Sequence, residues 1–184
     1  MRAARALAAA LRLLIAAALA LAGAPARAQP SEAAVKAAFI PKFARYVEWP
    51  AGAAPAPRQP FQLCMIGHDP FGPVIDQAAA NEVVEGRGVV VRRLAGAEGA
   101  AGCHLAFVRG ATAQDTARLL LALRGRPILT ITDSRAGPQR GIIHFTVAAG
   151  RVRFFIDQAA AAQRGLSISS RLLALALGVR QRRT

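Results

Sequence analysis

The sequence predicts one α/β domain with a mostly parallel sheet flanked by helices, a C-terminal β-hairpin and two terminal helices. From Phe61 onward, short apolar runs alternate with helical stretches, which is typical of βα units packed on a parallel sheet. Closer to the end, two alternating segments flank Ala149-Gly150, which is typical of a hairpin. The domain is expected to span residues 29–184, a length sufficient for one hydrophobic core.

The first 28 residues have the layout of a secretory signal peptide. Arginines precede or enter an apolar run at 13–22, and small residues follow at Ala26 and Ala28. These arginines are Arg2, Arg5 and Arg12. We expect cleavage after Ala28 and a periplasmic protein. A membrane anchor is the alternative, although Arg12 leaves fewer than the roughly 20 apolar residues that a span needs.

The charge balance is strongly basic. The chain has 24 Lys and Arg residues against 10 Asp and Glu residues. Loss of the leader would remove Arg27 as well as the three arginines above and would leave a formal charge of +10. Such a surface favours acidic proteins or anionic lipids, and export argues against nucleic acid. A solvated basic surface without a partner is the alternative.

A helix is predicted over residues 29–49, capped by Ser31 and kinked at Pro41. Four apolar residues recur at every fourth position and predict its buried face. They are Val35, Phe39, Phe43 and Val47. A proline-rich loop at 50–60 follows the helix.

The predicted core of the domain consists of four strands and two intervening helices. The strands are 61–67, 88–93, 103–109 and 127–132, and the helices are 74–84 and 112–123. The fourth strand is almost continuously apolar, which predicts that both of its faces are covered.

The C-terminal third is predicted to contain a hairpin, 142–148 and 151–156, followed by two helices. Asp157 is expected to cap the first helix and Gly165 to end it. Ser167 or Ser169 is expected to cap the second. Its inward residues are Leu172, Leu173, Ala176 and Leu177. The tail from Arg180 is expected to fray.

Alternation assigns the hairpin side chains to two faces. Apolar residues share the core face, namely Ile143, Phe145, Val147, Val152, Phe154 and Ile156. Arg151, Arg153 and Phe155 share the other face. An exposed aromatic beside arginines is typical of a protein interface. The alternative is that the following helix covers Phe155.

Polar residues follow two strands at the carboxyl edge of the sheet, where α/β proteins bind ligands. His68-Asp69 comes after the first strand and Asp133 after the fourth. An acid–base pair is one interpretation, but turn capping accounts for both carboxylates, so we predict no catalytic residues. His104 and His144 lack nearby partner ligands, and we predict no metal or cofactor site.

The two cysteines, Cys64 and Cys103, are predicted to pair in an oxidising compartment. Two free buried thiols are the alternative. A zinc site is disfavoured because the chain has no second cysteine pair.

The whole pattern resembles the YfiR/HmsC-like periplasmic proteins. The resemblance rests on Val35-Lys36-Ala37-Ala38-Phe39 through Glu48-Trp49-Pro50, Cys64 with Gly67-His68-Asp69-Pro70-Phe71-Gly72, Cys103-His104, Thr130-Ile131-Thr132-Asp133, Arg151-Val152-Arg153-Phe154, and Gly165-Leu166-Ser167-Ile168-Ser169-Ser170 with Leu172-Leu173. Together these segments cover nearly all of the predicted mature chain.

The resemblance implies a homodimeric α/β domain that represses an inner-membrane diguanylate cyclase by binding its periplasmic sensor region. It also implies the Cys64–Cys103 disulfide. Family members with more cysteines have a second, redox-sensitive bridge, which two cysteines cannot form. Phe155 replaces the acidic residue that often follows Arg-Val-Arg-Phe in the family.

Two functions are therefore expected. The first is repression of a membrane diguanylate cyclase, which lowers cyclic di-GMP and biofilm formation. Its candidate partner surface includes Asp69, Asp133, Arg151, Arg153 and Phe155. The alternative is a periplasmic small-molecule-binding module that uses a crevice near Asp69 and Asp133 and serves a membrane kinase or transporter.

Overall fold

An eight-stranded sheet organises the part of the chain that the computed structural model describes, residues 29–181. In chain order the strands are β1 (Val47–Glu48), β2 (Phe61–Gly67), β3 (Val83–Val84), β4 (Arg87–Leu94), β5 (Leu105–Arg109), β6 (Leu129–Asp133), β7 (Ile143–Ala148), β8 (Arg151–Asp157), β9 (Ser167–Ile168) and β10 (Gly178–Arg180). The α-helices are α1 (Glu32–Phe39), α2 (Pro73–Ala80), α3 (Ala113–Ala122), α4 (Gln158–Ala162) and α5 (Ser170–Leu175). From Ser31 onward these elements form one compact unit. The predicted leader lies outside the described residues.

The large sheet has the spatial order β10-β8-β7-β6-β5-β2-β4-β3. Its central strands, from β4 across to β7, are parallel, and β8 returns antiparallel to β7. Strands β1 and β9 form a separate antiparallel pair. The predicted fold class is confirmed: a mixed α/β domain with a mostly parallel sheet, flanking helices and a C-terminal hairpin.

The N-terminal helix is shorter than predicted. Helix α1 ends at Phe39, a 3-10 helix occupies Pro41–Tyr46, and the chain then enters β1. Proline at 41 has no N–H to donate, so the α-helical ladder ends there. The change of helical pitch also breaks the predicted apolar face.

The buried side of this segment is formed by Lys36, Ala37 and Ile40. By contrast, Phe39 is 39% exposed, so its predicted place in the core is wrong. Phe43 and Val47 are buried as predicted, because they belong to the segments after Pro41.

The second predicted helix, 74–84, also ends early. Helix α2 stops at Ala80, and Val83–Val84 forms β3, which pairs antiparallel with β4. The turn between β3 and β4 has positive φ at Glu85 (50°) and Gly86 (76°), the geometry of a tight hairpin. The apolar valines therefore follow strand pairing and not helical periodicity.

The C-terminal caps form as predicted, but the segment that follows α5 differs from the prediction. Asp157 accepts a hydrogen bond from the backbone N–H of Ala160 (2.9 Å), and Ser169 accepts one from Arg171 (3.2 Å). Helix α5 then ends at Leu175, and β10 (Gly178–Arg180) pairs in parallel with β8. The prediction of a frayed tail from Arg180 is wrong for that residue. Backbone N–H and C=O groups on the outer side of β8 need partners, and β10 supplies them.

The two faces of the sheet carry separate apolar clusters. The larger cluster combines inward side chains of β2, β5, β6, β7 and β8 with the N-terminal and C-terminal helices. Phe43 packs against Phe145 and Phe154 there, with ring centroids 5.8 and 5.4 Å apart. We call this side of the sheet the closed face.

Candidate functional site

The opposite side of the sheet is covered over only part of its width. Helix α3 packs its leucines against a smaller cluster formed by Cys64 and Ile66 of β2 and Ala106 and Val108 of β5. Among the described residues, no side chain of β7 or β8 belongs to this cluster. We call the uncovered part, formed by β7, β8 and β10, the open face.

The open face carries the hairpin residues that the sequence placed together. Antiparallel register sets Phe155 opposite His144, Arg153 opposite Thr146 and Arg151 opposite Ala148. Because alternate residues share a face, Arg151, Arg153 and Phe155 lie on one side of β8. Both arginines are exposed and Phe155 is half-buried.

Phe155 is held between an arginine and a glycine. The guanidinium carbon of Arg140 lies 4.8 Å from the centroid of the Phe155 ring, a cation–π geometry. On the other side, a Cβ at Gly178 would stand 3.2 Å from ring atoms of Phe155. Helices α4 and α5 pack on the closed face. Phe155 is therefore covered by Arg140 and a neighbouring strand and not by the following helix.

Asp69 is engaged by its own turn and by one arginine. Its Oδ1 accepts hydrogen bonds from the backbone N–H of Phe71 (2.8 Å) and Gly72 (3.3 Å). Its Oδ2 accepts one from Arg93 Nε (2.9 Å). The same guanidinium binds Asp76 and lowers the pKa of that carboxyl. These contacts are those of a capped turn, with an ion pair on its outer side.

Asp133 is buried at the end of β6 and belongs to an ion-pair network. Its Oδ1 accepts a hydrogen bond from the backbone N–H of Arg135 (3.0 Å), and its Oδ2 accepts one from Lys36 Nζ (2.6 Å). Lys36 also pairs with Glu32, whose pKa falls to about 2 because of hydrogen bonds from Arg135 and then Lys36. This network ties α1 to the carboxyl edge of the sheet.

Sequence reasoning missed Lys36. The predicted apolar face of the first helix excluded it, whereas the structure buries it almost completely. A second periodic series runs through Ala37, Ile40 and Ala44, with Lys36 beside it. That series was the available signal, because a lysine beside a buried face needs a carboxylate partner.

The structure does not bring the carboxylates together into one site. Asp69 and Asp133 make separate contacts, and His68 is exposed, with its backbone N–H bound to the carbonyl of Arg109 (2.7 Å). A cavity of about 900 Å³ lies at this edge and is lined by His68 and Arg109, but neither aspartate lines it. That these aspartates form a partner or ligand surface stays a prediction.

The other two histidines have structural partners. His104 Nδ1 accepts a hydrogen bond from the backbone N–H of Gln62 (2.9 Å), and burial lowers the His104 pKa. His144 Nδ1 lies 2.8 Å from Thr132 Oγ1, and burial, with repulsion from Arg140, lowers its pKa. Within residues 29–181, no group of three or more His, Cys, Asp or Glu side chains is placed to hold a metal ion.

Cys64 and Cys103 form a disulfide. Their Cα atoms are 5.9 Å apart, and the bridge joins β2 to the segment that enters β5. Both cysteines are buried in the smaller cluster under α3. The bridge therefore fastens the covered part of this sheet side, away from the open face.

The comparisons with known proteins identify the family. No curated protein matches the chain. Across the described residues, no helix combines the length and apolarity that crossing a bilayer requires. The YfiR/HmsC-like family is known for periplasmic regulators of diguanylate cyclases and is regulatory rather than catalytic. Its profile matches residues 33–177, which is most of the sequence, and the chain belongs to the YfiR/HmsC-like family.

Proposed function

We propose that this chain is a periplasmic repressor of an inner-membrane diguanylate cyclase, and that it lowers cyclic di-GMP and biofilm formation. The observation that supports this most is the family match over residues 33–177. The open face supplies a compatible surface, since exposed Arg151 and Arg153 precede the half-buried Phe155 on one side of β8. Export with cleavage after Ala28 is part of this proposal.

Repression follows from differential binding. The repressor must bind the inactive state of the cyclase more tightly than the active state, since equal affinity would change neither population. The chain itself then needs no catalytic step. Its basic surface would favour fast, salt-dependent association with an acidic sensor region.

Self-association is a further part of the proposal, because the family resemblance implies a homodimer. Sedimentation equilibrium of the purified protein is expected to give twice the chain mass. A monomer at micromolar concentration would contradict the dimer but leave the repressor function standing.

Deletion of the gene tests the proposed function. Cellular cyclic di-GMP is expected to rise, and a plasmid copy of the wild-type gene is expected to restore it. A catalytically inactive cyclase in the same deletion strain is the control, because the rise must depend on cyclase activity. Unchanged cyclic di-GMP in a strain that expresses the cyclase would contradict the proposal.

A small-molecule-binding function is the second candidate. The cavity of about 900 Å³ at the carboxyl edge of β2 and β5 favours it, since ligands of α/β proteins bind at that edge. A thermal-shift screen with nucleotides, amino acids and sugars tests it. A stabilising ligand whose effect is lost in H68A would support it, and a flat response would count against it.

A further inference from the structure

Two adjoining cavities lie at the end of the sheet opposite Asp133. The smaller one opens on the open face, and the larger one lies between α3 and α4. Their volumes are about 680 and about 430 Å³. They share Arg140, Ile142, Asp157 and Arg180 among their lining residues. Because Ile142 precedes β7 and Asp157 ends the antiparallel β8, this groove lies at the amino edge of the parallel strands.

The groove gathers arginines from four separate parts of the chain. They are Arg124 after α3, Arg140 before β7, Arg164 after α4, and Arg180 in β10. We call this site the arginine groove. Among the described residues, Asp157 is the only acidic one that lines either cavity, which leaves three positive charges in excess.

Two of the arginines, Arg124 and Arg164, are close enough for the charge of one to act on the other. Burial and then the charge of Arg124 lower the pKa of Arg164. Arg164 donates to the carbonyl of Ile128 (3.2 Å), a neutral acceptor, and the single carboxylate of Asp157 is bound by Arg180 (3.2 Å). Like charges at such proximity favour an anionic ligand, because each guanidinium can donate to a carboxylate.

The walls of the groove are partly apolar. Phe155 and Val179 line the smaller cavity, and Leu120 and Leu121 line the larger one. Leu121 is 58% exposed. A ligand that fits this site therefore combines carboxylates with apolar groups.

The shape favours a narrow ligand. Arg124, Arg140 and Arg180 are exposed, whereas Arg164 is half-buried. A flat bilayer surface would therefore reach the first three, and a ligand that enters the larger cavity would reach all four. Strand β10 borders the smaller cavity and is the last strand at its end of the sheet. An extended peptide segment can enter such a groove and follow a terminal strand.

We propose that the arginine groove binds an acidic, extended segment of the protein partner. This inference rests on the proposed function and adds to it the chemistry of the bound segment. Glutamate or aspartate side chains pair with Arg124, Arg140 and Arg180, and apolar side chains between them contact Phe155 and Leu121.

Fluorescence anisotropy of the purified protein tests the inference. The probe is a short fluorescein-labelled peptide in which glutamates alternate with leucines, and the control peptide has glutamine at each glutamate. The R124E/R140E variant reverses two exposed groove charges. The R171E variant is the control for reversal of a surface charge outside the groove, because Arg171 is exposed and lines neither cavity.

The glutamate peptide is expected to bind wild type and R171E alike, and R124E/R140E at least about tenfold more weakly, since charge-assisted hydrogen bonds are lost. Equal binding of the glutamine peptide, or equal weakening by R171E, would overturn the inference. Tighter binding of inorganic phosphate or of phosphatidylglycerol vesicles than of the peptide would also overturn it. The peptide experiment needs no cyclase, so its failure and an unchanged cyclic di-GMP level in the deletion strain are separate results.

Discussion

The closed and open faces of the sheet use the same strands for different purposes. On β8, Phe154 packs with Phe43 and Phe145 on the closed face, while its neighbour Phe155 lies under Arg140 on the open face. The closed face is covered by helices from both ends of the chain. The hairpin strand on the open face carries the exposed Arg151 and Arg153. The difference indicates that stability depends mainly on one side of the hairpin and recognition on the other.

Truncation of one hairpin aromatic on each face tests this comparison most strongly. Phe145 is fully buried, so F145A is expected to lower the free energy of unfolding by about 3 to 5 kcal/mol through loss of contacts and a cavity. F155A is expected to lower the free energy of unfolding by only about 1 to 2 kcal/mol, because Phe155 is half-buried. Urea denaturation measures both. Equal losses would show that the open face contributes as much to the fold as the closed face.

Loss of the disulfide tests the stability of the region where α3 packs against β2 and β5. The bridge spans a sequence separation of 39 residues, so C64A/C103A is expected to destabilise the protein by about 3 to 4 kcal/mol in the chain-entropy model. Urea denaturation with and without reductant checks this. The reduced wild type should approach the variant, and an unchanged unfolding midpoint after reduction would contradict a structural role for the bridge.

The buried ion pair tests the attachment of α1 to the closed face. K36M removes the cation beside Asp133 and is expected to cost about 3 kcal/mol, because a buried carboxylate loses its partner. The K36M/D133N double variant should recover part of that loss. K42M is the control, since Lys42 is exposed on the neighbouring 3-10 helix. Similar effects of K36M and K42M on thermal unfolding would exclude a structural role for the pair.

Acid titration gives the smallest expected effect on stability. The folded-state pKa of Glu32 is about 2, below its ordinary 4.5, so its stabilising contribution is present above pH 4.5 and is lost as the pH falls toward 2. E32Q should therefore be less stable than wild type at pH 6, by about 1 kcal/mol or less, and equal to it near pH 2. E48Q, on an exposed side chain of β1, is the control. A difference that persists at pH 2 would assign the effect to packing.

Local patterns predicted the central βα units, the hairpin and the caps at Asp157 and Ser169. The error at Phe39 has a local cause, because Pro41 ends the α-helix. The errors at residues 83–84 and at Arg180 occurred where strand pairing overrode a local preference. Val83 and Val84 continued an apolar helical pattern, but pairing with β4 made them a strand. The sequence around Arg180 resembles a terminal tail, and only the free side of β8 explains its place in β10.

The candidate surface was predictable in part. Alternation placed Arg151, Arg153 and Phe155 on one face, since strand periodicity is a local property. The arginine groove was not predictable, because Arg124, Arg140, Arg164 and Arg180 are distant in sequence and meet only through the strand order. Asp69 and Asp133, which the sequence predicted for the candidate surface, lie at the other end of the strands, the carboxyl edge.

Complementation of the deletion strain with R124E/R140E tests the central claim most directly, because it separates recognition from stability. The variant loses the Arg140–Phe155 contact, so it is expected to unfold within about 4 °C of wild type and to accumulate to the same level. Cyclic di-GMP in these cells is expected to stay as high as in the deletion strain, whereas R171E restores it. Restoration of the wild-type level by stable R124E/R140E would contradict the account.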